Sequence, residues 1–461
     1  MNAEPRKRLI LYHANWVGYG RSFQVKDIPI ACVTDVNYSF WDLRENSSGR
    51  LVPACADAWA DADKRFTGVG DGVEPPDSWD DGGAPDAYYG NFGQFRKLKA
   101  LGNKFRLGLS IGGWSFSKHF STAVHSPPQR EAFVREIECI LDKYPGLFDR
   151  IDLDWEHISP PGKNHGDAGN TTRPDDGLNF AAFLELLHSR MQPRCVEITA
   201  CLVADPAKMD ALPLQAMSLY LATLNLMTYD MGSSEWGPCA AGHHTNLKST
   251  PYAPLSVERA VEHLLRRGIP ASKIVIGVAF YSRGFANTDG LGKPSHGKST
   301  DKSWEDGIVD YKALPLPGMV ESWDEAAQAT FAYDAQKRIL SSYDSVDSVR
   351  KKSQYVWDKG LAGIIVWESS ADHPISHPRS LIAAMHAELS TPSGGQRGQP
   401  VPAAHASSIQ LPPGFIQQWS DEYKRFFFVN TTTGQSQWEP PVPIATASSP
   451  HLQDSQRAHW L

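Results

Sequence analysis

The stretch Phe148-Asp-Arg-Ile-Asp-Leu-Asp-Trp-Glu156 alternates acidic and apolar residues. Because successive side chains of a strand point to opposite faces, Asp152, Asp154 and Glu156 share one face, with roughly 7 Å between neighbours. The apolar side chains on the other face are those of Ile151, Leu153 and Trp155. Like-charged carboxylates at such distances cannot all ionise freely in a low-dielectric site. The stretch therefore predicts a strand whose acids have shifted pKa values and a function.

The alternative interpretation is an edge strand whose polar face lies in water. Asp is disfavoured in strands, and an ordinary edge strand more often carries Lys, Thr or Glu. Phe148 and Trp155 beside the acids indicate that the apolar face is buried. We therefore favour a strand at a functional site.

Eight short apolar runs alternate along the chain with segments of helical periodicity. The predicted strands are 9–12, 36–40, 105–111, 150–155, 196–202, 224–229, 274–279 and 363–367. The predicted helices are 129–141, 179–191, 257–267, 346–359 and 379–389. Repeated strand, helix, strand units imply parallel pairing with right-handed crossovers. The sequence therefore predicts an α/β fold, a (β/α)8 TIM barrel, with the acids at the carboxyl end of the fourth strand, where such barrels have their active sites.

Two interruptions, 56–89 and 286–334, are longer than ordinary loops. The second lies between strands 7 and 8 and is predicted to be an α+β insertion that walls a cleft. After residue 389 the composition turns to Ser, Thr, Pro, Gly, Gln and Ala, which is typical of a flexible linker. The predicted organisation is a barrel domain over 1–389, a linker over 390–410, a small domain over 411–441 and a disordered tail over 442–461.

The chain of 461 residues has a formal net charge of −7 and no stripe dense in Lys and Arg. A nucleic-acid partner or an anionic membrane needs concentrated positive potential, so neither is expected and a neutral substrate is favoured. No apolar stretch approaches the length of a transmembrane helix. Arg6-Lys-Arg8 resembles the start of a signal peptide, but Tyr12-His13 interrupts the apolar run and no small-residue cleavage site follows. We therefore expect no classical secretion.

The cysteines and histidines do not have the spacing of metal ligands. The six cysteines include no C-x-x-C pair, and they suit a reducing compartment as well as an oxidising one. Cys195 and Cys201, if they share a strand, lie roughly 20 Å apart and cannot form a disulfide. His243-His244 is not part of an H-E-x-x-H motif. We expect buried thiols, no metal and no cofactor.

Paired carboxylates, one of them with a raised pKa, are the usual groups that break glycosidic bonds. In an ordinary retaining pair the two groups come from different elements on either side of the sugar, whereas here three acids share one strand. Such clustering suggests that the nucleophile comes from the substrate itself. An N-acetyl sugar carries such a nucleophile in its acetamido group.

The segment Asp149-Arg-Ile-Asp152-Leu-Asp154-Trp-Glu156 resembles the D-x-x-D-x-D-x-E signature of family 18 chitinases, with Arg150 where Gly is usual. Further motifs of this family follow in chain order, and the resemblance extends from about residue 9 to residue 389. They are Ser110-Ile-Gly-Gly-Trp114 for strand three, Met227-Thr-Tyr-Asp230 for strand six, Tyr281-Ser-Arg283 for strand seven and Trp367 for strand eight.

The resemblance implies substrate-assisted hydrolysis of β-1,4-linked N-acetylglucosamine, with retention through an oxazolinium intermediate. Glu156 would act first as the acid and then as the base. Asp154 would orient the acetamido group and share a proton with Asp152, and Tyr229 would hold the acetamido oxygen. The sugar contacts that the resemblance implies are Tyr12, Trp114, Met227, Asp230, Trp236, Arg283 and Trp367. Ser110 is expected to support the aspartates, and Gly112-Gly113 to permit close packing in the barrel.

The predicted substrate is chitin or chito-oligosaccharide, and internal cleavage is favoured over cleavage from a chain end. An endo-β-N-acetylglucosaminidase that acts on N-glycans would share the acid cluster. A chitin-binding lectin or scaffold arises on the same barrel when a neutral residue replaces the acid. The Met227-Thr-Tyr-Asp230 element and the long insertion favour chitin, and Glu156 is retained, which disfavours a protein that only binds.

The segment from Leu411-Pro-Pro-Gly-Phe415 to Gln437-Trp-Glu-Pro-Pro441 resembles a WW domain, a small three-stranded all-β fold. Phe415 replaces the first signature Trp, and Thr431 stands where His is common. The predicted ligand groove consists of Phe427, where Tyr is usual, and Trp438. We expect a proline-rich peptide in the polyproline II conformation as the partner. The alternative is a role of the exposed aromatics in stability or carbohydrate contact.

The WW-like segment also bears on localisation, because WW modules act mostly inside cells. Asn430-Thr-Thr432 would be a glycosylation acceptor in a secreted protein, and a structural Asn would tolerate that modification poorly. The sequence therefore predicts a cytoplasmic protein, and non-classical secretion stays open.

Overall fold

The computed structural model describes residues 7–78, 87–159, 163–233, 239–390, 415–420, 425–430, 433 and 435–438. The chain divides into two compact units, Met1–Ser393 and Gly394–Leu461.

The larger unit is built around eight parallel strands. In chain order they are β1 (Arg8–Ala14), β2 (Asp35–Glu45), β3 (Arg106–Gly112), β4 (Arg150–Asp154), β5 (Glu197–Val203), β6 (Thr223–Met227), β7 (Ile274–Ala279) and β8 (Gly363–Trp367). Each strand pairs with the next in chain order. The last strand, β8, pairs with β1 and closes the barrel, which confirms the predicted fold.

Helices follow most of the barrel strands. The α-helices in the described part of the larger unit are Gly90–Ala100, Phe120–Val124, Pro127–Lys143, Asp176–Met191, Pro206–Met209, Leu214–Tyr220, Val257–Arg266, Val346–Asp358 and Leu381–Ser390. The hydroxyls of Ser256 and Ser345 cap two of these helices by accepting hydrogen bonds from Arg259 N and Ser348 N. No helix in the described ranges is long and apolar enough to cross a membrane.

Strand β4 has its apolar face against the surrounding helices. Ile151 and Leu153 are fully buried, and the ring of Trp155 stacks on that of Phe120 with 5.3 Å between centroids and 10° between planes. The strand pairs with β3 on one side and β5 on the other. It is therefore a central strand, which excludes the edge-strand interpretation.

The insertion between β7 and β8 forms a five-stranded antiparallel sheet. Its strands, in spatial order, are Ile308–Asp310, Tyr281–Phe285, Ile339–Tyr343, Ala329–Asp334 and Val320–Asp324. The insertion is thus wider than the predicted 286–334, and the helical structure between its described strands is one 3-10 turn, Tyr311–Ala313.

The prediction that Tyr281-Ser-Arg283 lies on the seventh barrel strand is wrong. Strand β7 ends at Ala279, and the motif begins the first strand of the insertion. Apolar residues continue past Ala279 to Phe280, and the one glycine of the run, Gly277, lies inside the strand and does not mark its end. The boundary is therefore not visible in the pattern of the sequence.

The smaller unit contains a three-stranded antiparallel sheet, as predicted for the carboxyl-terminal segment. Its strands are Phe415–Ser420, Arg425–Asn430 and Ser436–Gln437. Phe428, on the central strand, is buried.

Candidate active site

Asp152 is the deepest acid of the β4 run and is fully buried among hydrogen-bond donors. The groups that donate to its two oxygens are Tyr12 Oη (2.7 Å), Ser110 Oγ (2.8 Å), Thr199 Oγ1 (2.5 Å) and Asn225 Nδ2 (3.1 Å). Four such bonds stabilise the charged form of a carboxylate. These bonds hold the Asp152 carboxyl group in place, and Ser110 supports it as the sequence predicts.

Asp154 lies above Asp152, and only 4% of its surface is exposed. Burial and the charge of Asp152 raise the pKa of Asp154 to about 8, although a hydrogen bond with the Cys201 thiol acts in the opposite direction. At neutral pH Asp154 is thus the acid that carries a proton beside a charged neighbour. Its Oδ1 is buried and has no hydrogen-bond partner among the described residues.

Glu156 lies two residues beyond the end of β4, at the carboxyl end of the barrel. Burial is the main cause that raises the pKa of Glu156 well above its ordinary value, and the charge that Asp154 carries when it is ionised and the charge of Asp230 act in the same direction. His157 Nε2 is 3.7 Å from Glu156 Oε2, but burial lowers the pKa of His157 to about 3, so the imidazole is neutral. The raised pKa favours the protonated form of Glu156, which a general acid requires.

The strand-three element fixes the backbone around Glu156. Gly112 and Gly113 have φ angles of 112° and 84°, in the left-handed region that favours glycine. A Cβ on Gly112 would lie 2.2 Å from Asp154 O, and one on Gly113 would lie 2.6 Å from the Phe40 ring. The predicted packing function of these glycines is confirmed. Ser117 Oγ, in the turn that follows, accepts a hydrogen bond of 2.7 Å from Glu156 N.

An aromatic floor lies at the carboxyl ends of β1, β2 and β8. The rings of Trp367 and Phe40 stack with 5.4 Å between centroids and 18° between planes. Tyr12 and Trp16 lie 5.9 Å and 6.2 Å from Trp367. Met227 belongs to the same apolar cluster. The floor provides a flat apolar surface next to the acids.

A second wall combines residues that follow β6 with residues of the insertion. Arg283 Nε donates to Asp230 Oδ1 at 2.6 Å. Burial alone would raise the pKa of Asp230, but Arg283 and His244 hold it well below the ordinary value, so Asp230 is charged. The Tyr229 ring lies 6.3 Å from that of Tyr281, and burial is the main cause that raises the pKa of Tyr229 well above its ordinary value. Tyr229 is therefore a neutral hydroxyl that can donate a hydrogen bond.

The predicted sugar contacts do not all lie where they were expected. Tyr12 is 1% exposed and donates its hydroxyl to Asp152, so its predicted function as a sugar contact is corrected to support of that aspartate. Trp114 is 45% exposed, at a ring distance of 6.2 Å from His157. Trp236 lies outside the described residues.

Sequence reasoning missed Cys201, which it treated only as a buried thiol. The Cys201 Sγ lies 3.0 Å from Tyr12 Oη and also contacts Asp154. Thr199 and Cys201 are two residues apart on β5 and therefore share the inward face. The period of the strand could have identified Cys201 once Thr199 was known to face the acids.

The acidic motif departs from the family pattern at Arg150, the first residue of β4. Arg150 is fully buried and pairs with Asp35, donates to Asn37 Oδ1 at 3.1 Å and lies 3.3 Å from Glu197. Arg8 and Arg106 pair with the same Glu197 at 2.9 Å and 2.7 Å. A Cβ on Gly108 would lie 2.4 Å from Asn37 Oδ1 and 3.4 Å from Arg150 Cδ. The glycine on β3 thus leaves the space that Asn37 and Arg150 occupy.

No group of three His, Cys, Asp or Glu side chains in the described ranges is arranged to hold a metal ion. In the smaller unit, Trp438 is 37% exposed. Phe427 lies on the strand Arg425–Asn430, and its side chain is outside the described part of the chain.

Burial of a protonated Asp154 predicts how stability depends on pH. The ordinary pKa of Asp, about 4, applies in the unfolded chain, whereas the folded value is about 8. Between these values the folded state binds more protons, so the free energy of unfolding falls by up to about 1.4 kcal/mol per pH unit as the pH rises. The contribution is fully present below about pH 4 and is lost as the pH rises through about 8.

Urea unfolding between about pH 5 and pH 8 measures this slope. Asp154→Asn, which mimics the neutral acid, is expected to give a flatter profile than the wild-type chain. Equal slopes in the two proteins would show that Asp154 is ionised in the folded state.

Both units match known protein families. Residues 8–372 match the model of glycosyl hydrolases family 18, and residues 411–441 match that of the WW domain. Endochitinase 1 of Metarhizium robertsii is 34% identical over 392 residues, which cover 83% of this chain and 85% of the relative. Chitinase 1 of Aphanocladium album is 31% identical and covers 87% and 89%. The solved catalytic domain of chitinase B from Arthrobacter has a TM-score of 0.73 at 28% identity, covering 84% of this chain and 97% of that domain.

Proposed function

Because this chain belongs to family 18 of the glycosyl hydrolases, we propose that it hydrolyses chitin with the acetamido group of the substrate as the nucleophile. The relatives and structural neighbours named above are chitinases, which supports chitin as the substrate class. The observation that carries the proposed mechanism is the arrangement of acids along β4: Asp152 accepts four hydrogen bonds, and the raised pKa values of Asp154 and Glu156 favour their protonated forms.

This arrangement of Asp152, Asp154 and Glu156 supports each step of a retaining reaction. Glu156 gives its proton to the glycosidic oxygen as the bond from that oxygen to the anomeric carbon breaks. The acetamido oxygen forms a bond to the same carbon, and the resulting oxazolinium ring is positively charged. Asp154 accepts a hydrogen bond from the acetamido N–H and stabilises that charge as its proton moves toward Asp152. Water then attacks the anomeric carbon, Glu156 takes up a proton from it, and the ring opens with retention.

The remaining residues hold the acetamido group against the anomeric carbon. Tyr229 donates its hydroxyl to the acetamido oxygen, and Trp367 lies beneath the sugar ring. Asp230, held in place by Arg283, accepts a hydrogen bond from a sugar hydroxyl. Such positioning makes the nucleophilic step intramolecular, an advantage of roughly 7 to 11 kcal/mol when the groups are well aligned.

Removal of the acetyl groups from the substrate tests this mechanism. The fully deacetylated hexamer lacks the nucleophile, so its turnover is expected to be less than about a hundredth of that of the acetylated hexamer. Products of both hexamers are identified by mass. Equal turnover of the two would overturn the mechanism. A high-mannose glycopeptide assayed in parallel tests the N-glycan alternative, which turnover of the glycopeptide alone would support.

The product masses also test the mode of cleavage. We propose internal cleavage, which the name of the Metarhizium relative, an endochitinase, supports.

For the WW domain we propose a proline-rich peptide as the ligand, and exposure of Trp438 supports an aromatic contact with it. We propose that the protein acts in the cytoplasm, because WW modules act mostly inside cells.

A further inference from the structure

The pair His243-His244 has no part in the proposed steps of hydrolysis, yet both imidazoles are buried. The backbone of His244 is fixed on two sides. His244 N donates to Ser342 Oγ at 3.2 Å, on the strand Ile339–Tyr343 of the insertion. His244 O accepts a hydrogen bond of 3.0 Å from Met231 N, in the segment that follows β6. His244 therefore lies between the insertion and the wall of the active site.

The imidazole of His244 accepts a hydrogen bond from the backbone of Asp230. Asp230 N donates to His244 Nδ1 at 3.3 Å. A ring nitrogen that accepts a hydrogen bond carries no proton, so this contact requires a neutral imidazole with its proton on Nε2. Burial is the main cause that lowers the pKa of His244, which favours the same neutral form. Nε2 has no hydrogen-bond partner among the described residues, so Nδ1 makes the polar contact of the ring.

The backbone of Asp230 is in a conformation that few residues adopt. Its φ angle is 56°, in the left-handed region that is unfavourable for residues other than glycine. In this conformation the Asp230 carboxylate reaches Arg283, whose Nε donates to Oδ1 at 2.6 Å. His244 Nδ1 lies 3.7 Å from the same Oδ1. The imidazole thus holds the backbone of Asp230, and Arg283 holds the carboxylate.

We propose that His244 is a positioning residue for hydrolysis, because its imidazole holds Asp230 in the backbone conformation from which the carboxylate contacts both Arg283 and the sugar. This role rests on the proposed function, in which Asp230 accepts a hydrogen bond from a sugar hydroxyl. His244 is 0% exposed, so it acts through Asp230 and not on the substrate. Without the acceptor, the backbone of Asp230 can relax out of the left-handed region and turn the carboxylate away from the sugar.

The position of Asp230 also affects the acid of the reaction. After burial and the charge of Asp154, the charge of Asp230 is a further cause that raises the pKa of Glu156. The other titratable groups near Glu156, all of them neutral at pH 7, are His157, Cys201, Tyr229 and Tyr281. Displacement of Asp230 would therefore lower the pKa of Glu156. The alkaline limb of the pH profile of kcat/KM, where the acid loses its proton, would then move to lower pH.

Variants of the full chain separate the hydrogen bond from the bulk of the ring. His244→Asn places an amide oxygen close to the position of Nδ1, so the hydrogen bond from Asp230 N is kept. His244→Gln carries the same amide one bond further out and lacks that acceptor, and His244→Leu is apolar. His13→Leu is the matched control, because His13 is also a buried imidazole and its ring lies among aromatic rings that an apolar side chain can contact. Thermal unfolding of each variant measures its stability.

His244→Leu and His244→Gln are expected to lower kcat/KM on the acetylated hexamer by about tenfold, mainly through KM, and to move the alkaline limb to lower pH. His244→Asn should stay within about twofold of the wild-type chain with the limb in place, and His13→Leu should do the same even if its unfolding temperature falls. If His244→Leu does not fold, the comparison of Asn with Gln decides. An unmoved limb in His244→Gln, or equal loss in the Asn and Gln variants, would overturn the inference.

Binding of the hexamer in the Glu156→Gln background separates this inference from the proposed function. There, His244→Gln should weaken binding about tenfold and His244→Asn by less than about twofold. If the wild-type chain cleaves no hexamer but this difference in binding is found, the hydrolytic function fails and the role of His244 stands. If the hexamer is cleaved and the two variants bind it equally well, the role of His244 fails alone.

Discussion

Replacement of Glu156 with Gln is expected to lower kcat on chito-oligosaccharides by about 10³- to 10⁴-fold, within the range that general acid–base catalysis contributes. Gln has nearly the shape of the protonated acid but cannot give a proton to the leaving oxygen or take one from water. The release of reducing ends from the hexamer measures the loss. Turnover close to that of the wild-type chain would remove Glu156 from the mechanism.

The environment of Glu156 makes this substitution a clean test. Because burial raises the pKa of Glu156 and favours its protonated form, the neutral amide places no new charge in the site. We therefore expect the variant to fold and to bind the hexamer with an affinity within about threefold of wild type. A variant that neither cleaves nor binds would indicate that the site itself had changed.

Replacement of Asp154 with Asn is expected to lower kcat by about 10³-fold, with a much smaller change in KM. An amide can still accept a hydrogen bond from the acetamido N–H, but it cannot become negative as the oxazolinium charge forms. Steady-state kinetics on the hexamer separate kcat from KM. A large rise in KM at unchanged kcat would show that Asp154 only binds substrate.

Cys201→Ala provides the matched control for Asp154→Asn. It removes the thiol that contacts Asp154 and leaves the carboxyl group in place. Because the thiol is a weak donor, kcat is expected to fall by less than about tenfold. A loss as large as that of Asp154→Asn would mean that the thiol, rather than the charge of Asp154, controls the reaction.

The strands and most long helices could be predicted from sequence because apolar runs and helical periodicity bound them. The helix Gly90–Ala100 was missed because it contains two glycines and follows a long segment without periodicity. The acid face of β4 was predictable from alternation alone, since Asp152 and Asp154 are separated by one residue. The functions of the predicted site residues come from the family resemblance and remain for mutagenesis to test.

Contacts between segments that are far apart along the chain could not be predicted from the sequence pattern. Tyr12 and Asp152 are 140 positions apart, so no local signal could show that the phenol lies beneath the acid instead of under a sugar. Arg21 and Asp310 meet across 289 positions. Such pairs form only when the barrel closes and the insertion folds against it.

The ion pairs that Asp35 forms with Arg106 and Arg150 restrict how this active site can be exchanged with that of a relative. Arg150 occupies space that Gly108 leaves open, and it shares Asp35 with Arg106, whose Nε lies 2.8 Å away. Grafting of the acidic strand with the usual Gly would leave a void next to Asn37 and one cation fewer beside a buried anion. In protein engineering, the residues at positions 35, 37, 108 and 150 should therefore be exchanged together.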